Sequence, residues 1–281
     1  MELTKTKIYS LIVVFFVQWS LITTNINAQN LRDNRLEINS SGSTTILQLL
    51  EKSELLMGSN PKEALKKAQE AYTIASQTND IKILFKPKMQ LGKILFYQGL
   101  YENASNHYIE MLAHAEQAND QEWKGKSLYQ LGSIRLVLED YKEALGYFNK
   151  AKSILDAYYQ DKGGLTKAIQ TGFHNNFGVI YSGLKDYDNA IKEFKTGIKI
   201  IADDSSLQNN KVQLVNNLGD VYYKSGEFQK AVDEYQNGLE QIQNNPNPLF
   251  EAMLYNSLGK TYLALKNNEE ALKHYQLGLN I

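Results

Sequence analysis

Apolar and polar positions follow a helical period along most of the chain, with short polar breaks between the periodic segments. The clearest case is NNLGDVYYKSGEFQKAVDEYQNGL, residues 216–239, which reads as two short amphipathic helices. Gly219 stands on the first helix one turn before Tyr222, and Ala231 stands on the second one turn before Tyr235. Small residues let two helix axes approach closely, and large residues a turn away fill the space around the crossing. The segment therefore predicts a tightly crossed helix pair.

The same set of residues recurs along the chain. Five glycines are spaced by 40, 46, 41 and 40 residues: Gly92, Gly132, Gly178, Gly219 and Gly259. Twelve residues after each glycine stands an alanine: Ala104, Ala144, Ala190, Ala231 and Ala271. A turn after each alanine stands an aromatic residue: Tyr108, Phe148, Phe194, Tyr235 and Tyr275. A weaker sixth unit around Ala64 lacks the glycine, as expected of a terminal repeat.

This pattern resembles the tetratricopeptide repeat, a helix-turn-helix unit with small and large residues at such positions. The resemblance covers about residues 44–281, and the long repeats are similar to those of kinesin light chains. It implies an all-α fold, a right-handed superhelical solenoid of about six repeats, in which each repeat contacts mainly its neighbours. The repeats are expected at about 44–79, 80–119, 120–160, 165–204, 206–245 and 247–281.

Local signals mark several helix starts. Pro61 fits a first helical turn, where a missing N–H costs nothing, and Asn247 can cap a helix that begins at Pro248. Pro87 falls inside the first helix of the second repeat, which it should kink or delay. The 46-residue spacing predicts a longer loop around residues 160–164.

Residues 1–28 have the layout of a secretory signal peptide. Lys5 and Lys7 precede a mostly apolar run over 8–22, and a short polar stretch ends at Ala28, where we expect cleavage. An uncleaved anchor is the alternative, but the run is short for a span of ~20 apolar residues. The mature protein is thus expected in the periplasm or outside the cell, with residues 29–43 as a flexible leader. The absence of cysteine excludes a lipid anchor and a disulfide framework.

The formal charge is −1, and removing residues 1–28 leaves 28 basic and 30 acidic residues, a charge of −2. Such a protein offers no general attraction to nucleic acid or anionic membrane, so a nucleic-acid partner is not expected. A membrane partner is expected only if the chain belongs to a longer anchored protein. The lysine-rich segment 62–93 is interpreted as a solvated helix face.

No catalytic constellation is found, so we expect no enzymatic activity and no small-molecule substrate. His107 and His114 lie two helical turns apart, too far for the i, i+4 pairing of a helical zinc site. No cofactor and no metal site are therefore expected.

By the resemblance, the first helix of each repeat lines a concave groove through the positions three before, one after and four after the repeat glycine. These positions share one helical face. Asparagine occupies the first of them in three successive repeats, Asn175, Asn216 and Asn256, and Asn176 and Asn217 extend the row. An amide can both donate to and accept from a peptide backbone, and kinesin light chains use similar pairs for this purpose. The alternative is that these amides bond to the next repeat and only fix the stacking.

The other residues expected in the groove are Lys93, Tyr129, Asp220, Tyr223 and Lys260. The aromatic and apolar residues of the earlier repeats either form pockets there or pack between helices. The expected partner is a peptide or a segment of a protein.

Two functions fit these features. One is a free extracytoplasmic interaction module. The other is the sensor region of a truncated bacterial signalling protein, in which a membrane helix and a kinase or DNA-binding domain would follow. An apolar span of about twenty residues encoded after Ile281 would decide for the sensor.

Overall fold

The structure, a computed structural model, describes residues 40–78, 80–243 and 246–281. The predicted signal peptide and residues 29–39 of the predicted leader lie outside these ranges. All regular structure in the described ranges is helical, with three short 3-10 turns, at Ile81–Leu84, Gln160–Lys162 and Ser205–Leu207. The α-helices are α1 (Ser40–Leu56), α2 (Pro61–Ser76), α3 (Phe85–Tyr97), α4 (Tyr101–Gln117), α5 (Gln121–Val137), α6 (Tyr141–Tyr159), α7 (Lys167–Gly183), α8 (Tyr187–Ile200), α9 (Gln208–Lys224), α10 (Phe228–Ile242), α11 (Pro248–Ala264) and α12 (Asn268–Leu279).

The chain divides into two compact units. In the described ranges, unit 1 runs to Leu165 and holds the helix pairs α1–α2, α3–α4 and α5–α6, while unit 2 starts at Thr166 and holds the other three pairs. The prediction of an all-α repeat fold is confirmed. Over the same ranges, none of the helices combines the length and the apolar character that a membrane crossing requires.

The helix starts agree with the local signals. Asn247 accepts hydrogen bonds from the backbone N–H groups of Leu249 and Phe250, and Pro248 is the first residue of α11, as predicted. A 3-10 turn precedes α3, which begins only at Phe85, so Pro87 lies in the first helical turn. There its missing N–H has no intrahelical acceptor to lose. Of the two effects predicted for Pro87, a kink or a delayed start of the helix, the structure has the delayed start.

Each repeat glycine lies against the aromatic residue of its partner helix. A Cβ built on Gly92 would lie 2.5 Å from Cε1 of Tyr108, and one on Gly178 would lie 2.6 Å from Cε1 of Phe194. The alanines of the set are also enclosed, with Ala104 at 0% exposure. Only glycine leaves room for the ring at such a distance, so the predicted crossing of small residues is confirmed.

In the five helix pairs that carry a repeat glycine, the turn reverses through one residue with a left-handed backbone, seven positions after that glycine. These residues and their φ angles are Gly99 (75°), Glu139 (60°), Lys185 (62°), Gly226 (86°) and Lys266 (60°). A left-handed residue at a helix end lets the last carbonyls find new N–H partners. Three of the five turns therefore hold a residue other than glycine in a conformation that favours glycine.

Successive helix pairs of unit 2 also meet through small residues on their second helices. A Cβ on Gly197 of α8 would lie 3.1 Å from Cδ1 of Leu214 on α9. A Cβ on Gly238 of α10 would lie 2.9 Å from Cδ2 of Leu254 on α11. One leucine of each following repeat thus fits over a glycine of the repeat before it, and this contact is purely apolar.

The lysine-rich segment is not uniformly solvated. Lys62 and Lys82 are exposed, but Lys88 and Lys93 are only 2% and 3% exposed. Each buried ammonium group contacts a carboxylate, Lys88 that of Glu110 and Lys93 that of Glu54. The interpretation as a solvated face is therefore wrong for these two lysines, because α3 packs between α1 and α4 and each lysine meets an acid from a neighbouring helix.

Candidate functional site

The candidate site is the first-helix face, defined as the positions three before, one after and four after each repeat glycine. In unit 2 it lies on α7, α9 and α11, and in unit 1 on α3 and α5. Because these helices are the first members of their pairs, side chains from successive repeats stand side by side along the face. Each unit is described separately below.

One asparagine pair joins two repeats of unit 2. Asn175 on α7 is 0% exposed, and its Oδ1 accepts a hydrogen bond of 2.8 Å from Nδ2 of Asn217 on α9. Nδ2 of Asn175 donates to Oδ1 of the neighbouring Asn176 over 3.4 Å. Lys224 makes a second link between the same helices, donating from Nζ to Oγ of Ser182 over 3.1 Å. Asn175 and Asn217 thus contribute to the stacking of the repeats.

Asn216 has the same position in the next repeat but a different environment. It is 5% exposed, and its Oδ1 is buried with no hydrogen-bond partner among the residues that the structure describes. The residue of α11 that corresponds to Asn217 is Ser257, which carries no amide. Asn256, one repeat further, is exposed. A buried amide oxygen without a donor costs ~1–3 kcal/mol, and the rest of the described chain supplies no donor to Oδ1 of Asn216.

The three other residues predicted in the groove of unit 2 lie on the same helical face as Asn216. Asp220 accepts at Oδ1 a hydrogen bond of 2.7 Å from the hydroxyl of Tyr235. Nζ of Lys260 lies 4.0 Å from the ring centroid of Tyr223, a cation–π contact between α9 and α11. Burial, and then the charge of Asp220, raise the pKa of Tyr235, so its hydroxyl stays protonated and remains a donor. The face offers an amide, a carboxylate, a ring and a cation.

In unit 1 the two residues predicted in the groove, Lys93 and Tyr129, are enclosed. Nζ of Lys93 lies 2.6 Å from Oε1 of Glu54 on α1. Burial lowers the pKa of Lys93 and the carboxylate of Glu54 opposes the shift. Tyr129 is 8% exposed, and its ring meets that of Phe148 edge to face at 5.0 Å between centroids. Both side chains therefore belong to the packing between helices.

A charged cluster that the sequence did not indicate lies on the same helices of unit 1. Oε1 of Glu122 contacts Nζ of Lys126 and accepts from the hydroxyl of Tyr159, both at 2.6 Å. Oε2 of Glu122 accepts from the hydroxyl of Tyr158 over 3.1 Å. Burial by itself would raise the pKa of Glu122, but Lys126 and the two hydroxyls lower it overall. Glu122 therefore stays ionised, and three neighbouring groups contact its two oxygens.

Aromatic rings flank this cluster. Nζ of Lys126 lies 4.6 Å from the ring centroid of Trp123, and that ring stacks on Phe85 at 5.1 Å. Lys86, next to Phe85, is half-buried near Lys126. The sequence did hold one signal for the cluster, since Lys86 and Lys126 both stand six residues before a repeat glycine.

The described side chains offer no group of three or more histidine, aspartate or glutamate residues arranged to hold a metal ion. What the face presents is hydrogen-bonding, charged and aromatic groups. Such groups can hold a ligand through hydrogen bonds, ion pairs and ring contacts.

Comparison with known proteins identifies the family. The family profile described as tetratricopeptide repeat matches residues 86–157 and 211–281, and a second profile with the same description matches residues 172–204. Response regulator aspartate phosphatase J of Bacillus subtilis (strain 168) is 30% identical over 119 residues, which are 42% of this chain and 30% of that protein. The alignment thus spans less than a third of that relative's length.

Two solved structures share the fold. The crystal structure of NprR in complex with its cognate peptide NprX has a TM-score of 0.64 and 14% identity, and covers 98% of this chain and 77% of NprR. The putative kinesin light chain repeats of Podosopora anserina have a TM-score of 0.57 and 13% identity, over 74% of this chain and 98% of theirs. The first profile alone matches more than half of the sequence, and the chain belongs to the tetratricopeptide repeat family.

Proposed function

We propose that this protein is an interaction module that binds an extended segment of a peptide or protein on its first-helix face, and that it catalyses no reaction. The observation that carries the proposal is the buried, unpartnered Oδ1 of Asn216. The proposal is supported by NprR, a structural neighbour that was solved with a peptide. A backbone N–H of an extended segment is the kind of donor that Oδ1 of Asn216 lacks, and the Asn216 side chain must turn outward to meet it, because this oxygen is buried in the free protein.

The exposed Asn256 is the second backbone contact of the proposed site. It stands one repeat beyond Asn216 in the corresponding position, so an extended segment running along the face meets both amides in turn. Tyr223, half-buried under the ammonium group of Lys260, would pack against a side chain of the segment. Asn175 and Asn217 would support the site by fixing the repeats that carry it.

A peptide selection tests this proposal. Random peptides displayed on phage are selected against residues 29–281, and the affinity of a selected peptide is measured by calorimetry. Loss of a hydrogen bond whose partner is then left unsatisfied costs ~1–3 kcal/mol, or about five- to 150-fold in affinity. We expect a loss in this range when Asn216→Ala is combined with Asn256→Ala.

Two exposed asparagines on second helices provide a matched control, Asn106 on α4 and Asn149 on α6. Replacing both by alanine removes the same atoms away from the face and should leave the affinity unchanged. Equal affinities of the two double variants would place the binding surface elsewhere.

We also propose that the protein acts outside the cytoplasm after residues 1–28 are removed. The support is the basic start, the apolar run and the small residue Ala28. As a second candidate function, the chain is the sensor region of a signalling protein, which the similarity to a response regulator aspartate phosphatase favours. The reading frame after Ile281 discriminates between the two.

A further inference from the structure

The outer side of α12 carries two exposed leucines. Leu272 is 60% exposed and Leu279 is 84% exposed. They stand seven residues apart, which is about two helical turns, so both lie on the same side of the helix. Tyr275 stands between them, half-buried, with its ring against Gly259 of α11. These three residues, Leu272, Tyr275 and Leu279, are called the α12 strip.

The leucine positions of the strip are covered in the other helix pairs of unit 2. The second helices carry apolar residues one and eight positions after the repeat alanine: Ile191 and Ile198, Val232 and Leu239, and Leu272 and Leu279. In α8 and α10 these residues belong to the packing of unit 2, since Val232 is 2% exposed and the other three are half-buried against the same core. The next first helix packs on each of these helices, α9 on α8 and α11 on α10. The α12 strip therefore has the residues of a packing surface without a neighbouring helix in the described chain.

The strip is complementary to itself. Its two leucines are placed symmetrically about the middle of the strip, between Tyr275 and Gln276. If two α12 helices lie antiparallel about a two-fold axis through that point, Leu272 of each copy meets Leu279 of the other. The same apolar contact then forms twice, with the Tyr275 rings near the axis.

The opposite end of the repeat array offers no such apolar strip. The exposed residues of α1 that the structure describes are mostly polar: Thr44, Thr45, Gln48, Glu51, Lys52 and Leu55. Leu55 is the one large apolar side chain among them, at 77% exposure. A second copy stacked head to tail would therefore bring a polar helix against Leu272 and Leu279. Symmetric pairing is the arrangement in which apolar residues meet apolar residues.

We propose that two copies of this protein associate through the α12 strip, with their α12 helices antiparallel about a two-fold axis. Contiguous exposed apolar side chains mark interaction surfaces, and pairing removes four leucine side chains per dimer from water. The strip lies on a second helix, apart from the first-helix face, and this inference goes beyond the proposed function. The dimer carries that face twice.

Sedimentation equilibrium on residues 29–281 measures the association. A concentration series that reaches about 100 μM covers the weak affinity expected of a contact between two short helices. We expect a reversible monomer–dimer equilibrium. Leu55→Lys is the control for a charge placed at an exposed leucine, and it should leave the dissociation constant within about twofold.

Two double variants test the two-fold arrangement. Leu272→Lys with Leu279→Lys places like charges opposite each other and should weaken dimerisation at least about tenfold. Leu272→Lys with Leu279→Glu places each lysine opposite a glutamate of the other copy, so it should associate about tenfold more tightly than the double-lysine variant. Because all these positions are exposed, circular dichroism should show an unchanged fold.

A cysteine cross-link tests the position of the axis. The chain has no cysteine, so one introduced cysteine is its only thiol. Gln276 is exposed and lies next to the proposed axis, so Gln276→Cys should form a disulfide-linked dimer with oxidised glutathione. Asn106→Cys, at an exposed position on α4, is the matched control and should stay monomeric on a non-reducing gel.

The proposal is overturned if the protein is monomeric throughout the concentration series, or if the double-lysine variant associates as well as the parent. It is also overturned if the mixed-charge variant pairs no better than the double-lysine variant, or if assembly continues beyond the dimer, as head-to-tail stacking would. None of these results bears on the proposed function, which is tested by the peptide affinity of the Asn216 and Asn256 variants.

Discussion

The ring of Tyr235 lies directly against Gly219: a Cβ at Gly219 would be 2.6 Å from Cε1 of that ring. Tyr235 is 1% exposed, and its hydroxyl reaches past Gly219 to Asp220. The aromatic residue of α10 therefore fills the space that the missing side chain of α9 leaves, and its polar atom bonds to the residue next to the glycine. This contact holds the helices α9 and α10 together.

Replacing Gly219 by alanine should destabilise the protein. The new methyl group would overlap a ring that is enclosed on all sides, and overpacking of a core typically costs about 1–3 kcal/mol. Gly146→Ala on α6 is the matched control, because a Cβ at Gly146 would have nothing within 4 Å of it and alanine is favoured over glycine in a helix by ~1 kcal/mol. Chemical denaturation should show opposite signs for the two variants; a shared sign would contradict the close contact.

Asn175→Ala should lower the free energy of unfolding and should reduce peptide affinity much less than Asn216→Ala combined with Asn256→Ala does. The substitution removes the acceptor of Asn217 in an enclosed contact between repeats, at a cost of about 1–3 kcal/mol. Asn216→Ala should lower stability less than Asn175→Ala does, because its Oδ1 has no partner to lose within the described chain. Thermal melts and calorimetry on both variants check this, and a larger loss of stability for Asn216→Ala would reverse the assignment of roles.

Stability should fall as the pH decreases below about 6.5, the ordinary value for histidine. Burial lowers the pKa of His107 and of His114 on α4, and the charge of Lys88 lowers both further. The unfolded chain therefore binds protons before the folded one does, and this contribution is complete above the unfolded pKa and lost as the pH falls through the folded values. Glu110, whose pKa is lowered chiefly by its bond to Lys88, contributes only in more acidic solution.

Denaturation curves recorded at several pH values from neutral down to about 5 measure this dependence of stability on pH. The double variant His107→Gln with His114→Gln should lose a clear part of the slope in that range, since glutamine does not titrate. A slope equal to that of the parent would show that other groups cause the dependence.

Lys185→Gly should stabilise the turn between α7 and α8, and Gly226→Ala should destabilise the equivalent turn between α9 and α10. Both positions have a left-handed backbone, with φ of 62° and 86°. A side chain in this region costs roughly 1–2 kcal/mol, from which the greater freedom of glycine in the unfolded chain subtracts about 0.5–1 kcal/mol. Thermal midpoints of the two variants should therefore move in opposite directions, and a drop for both would contradict the turn geometry.

Sequencing the amino terminus of the protein secreted by a bacterial host tests the location that we propose. Cleavage after Ala28 gives a mature protein beginning at Gln29. Recovery of an intact Met1 in the membrane fraction would instead identify the apolar run as an anchor.

The fold could be predicted from the sequence because its determinants recur at a fixed interval. Gly92 and Tyr108 meet in the structure in the register that Gly219 and Tyr235 indicate, and a local rule repeated five times leaves little freedom. The roles of the asparagines could not be predicted in the same way. Asn175 and Asn216 look identical in the repeat pattern, and they differ only because Asn217 faces the first and no amide faces the second.

The charged cluster around Glu122 shows a second limit of prediction from the sequence. The lysine-rich segment offers no sign that Lys93 is paired while Lys86 is not. Pairing depends on side chains far away in sequence, such as Tyr158 and Tyr159, which donate to Glu122, an acid that acts on Lys86. Only the packed helices bring those groups together.

The two kinds of contact between the repeats of unit 2 have a mechanical consequence. On the first helices the repeats are joined by directional hydrogen bonds, Asn217 to Asn175 and Lys224 to Ser182. Where the second helix α8 meets the next first helix α9, Leu214 rests on Gly197 through dispersion forces, which have no preferred direction. Bending between repeats should therefore concentrate at the contact of Leu214 with Gly197, where small rotations break no hydrogen bond. The hydrogen-bonded first helices then act as the pivot. Neighbouring repeats should then flex without losing their register, and the distance between Asn175 and Asn217 should change least.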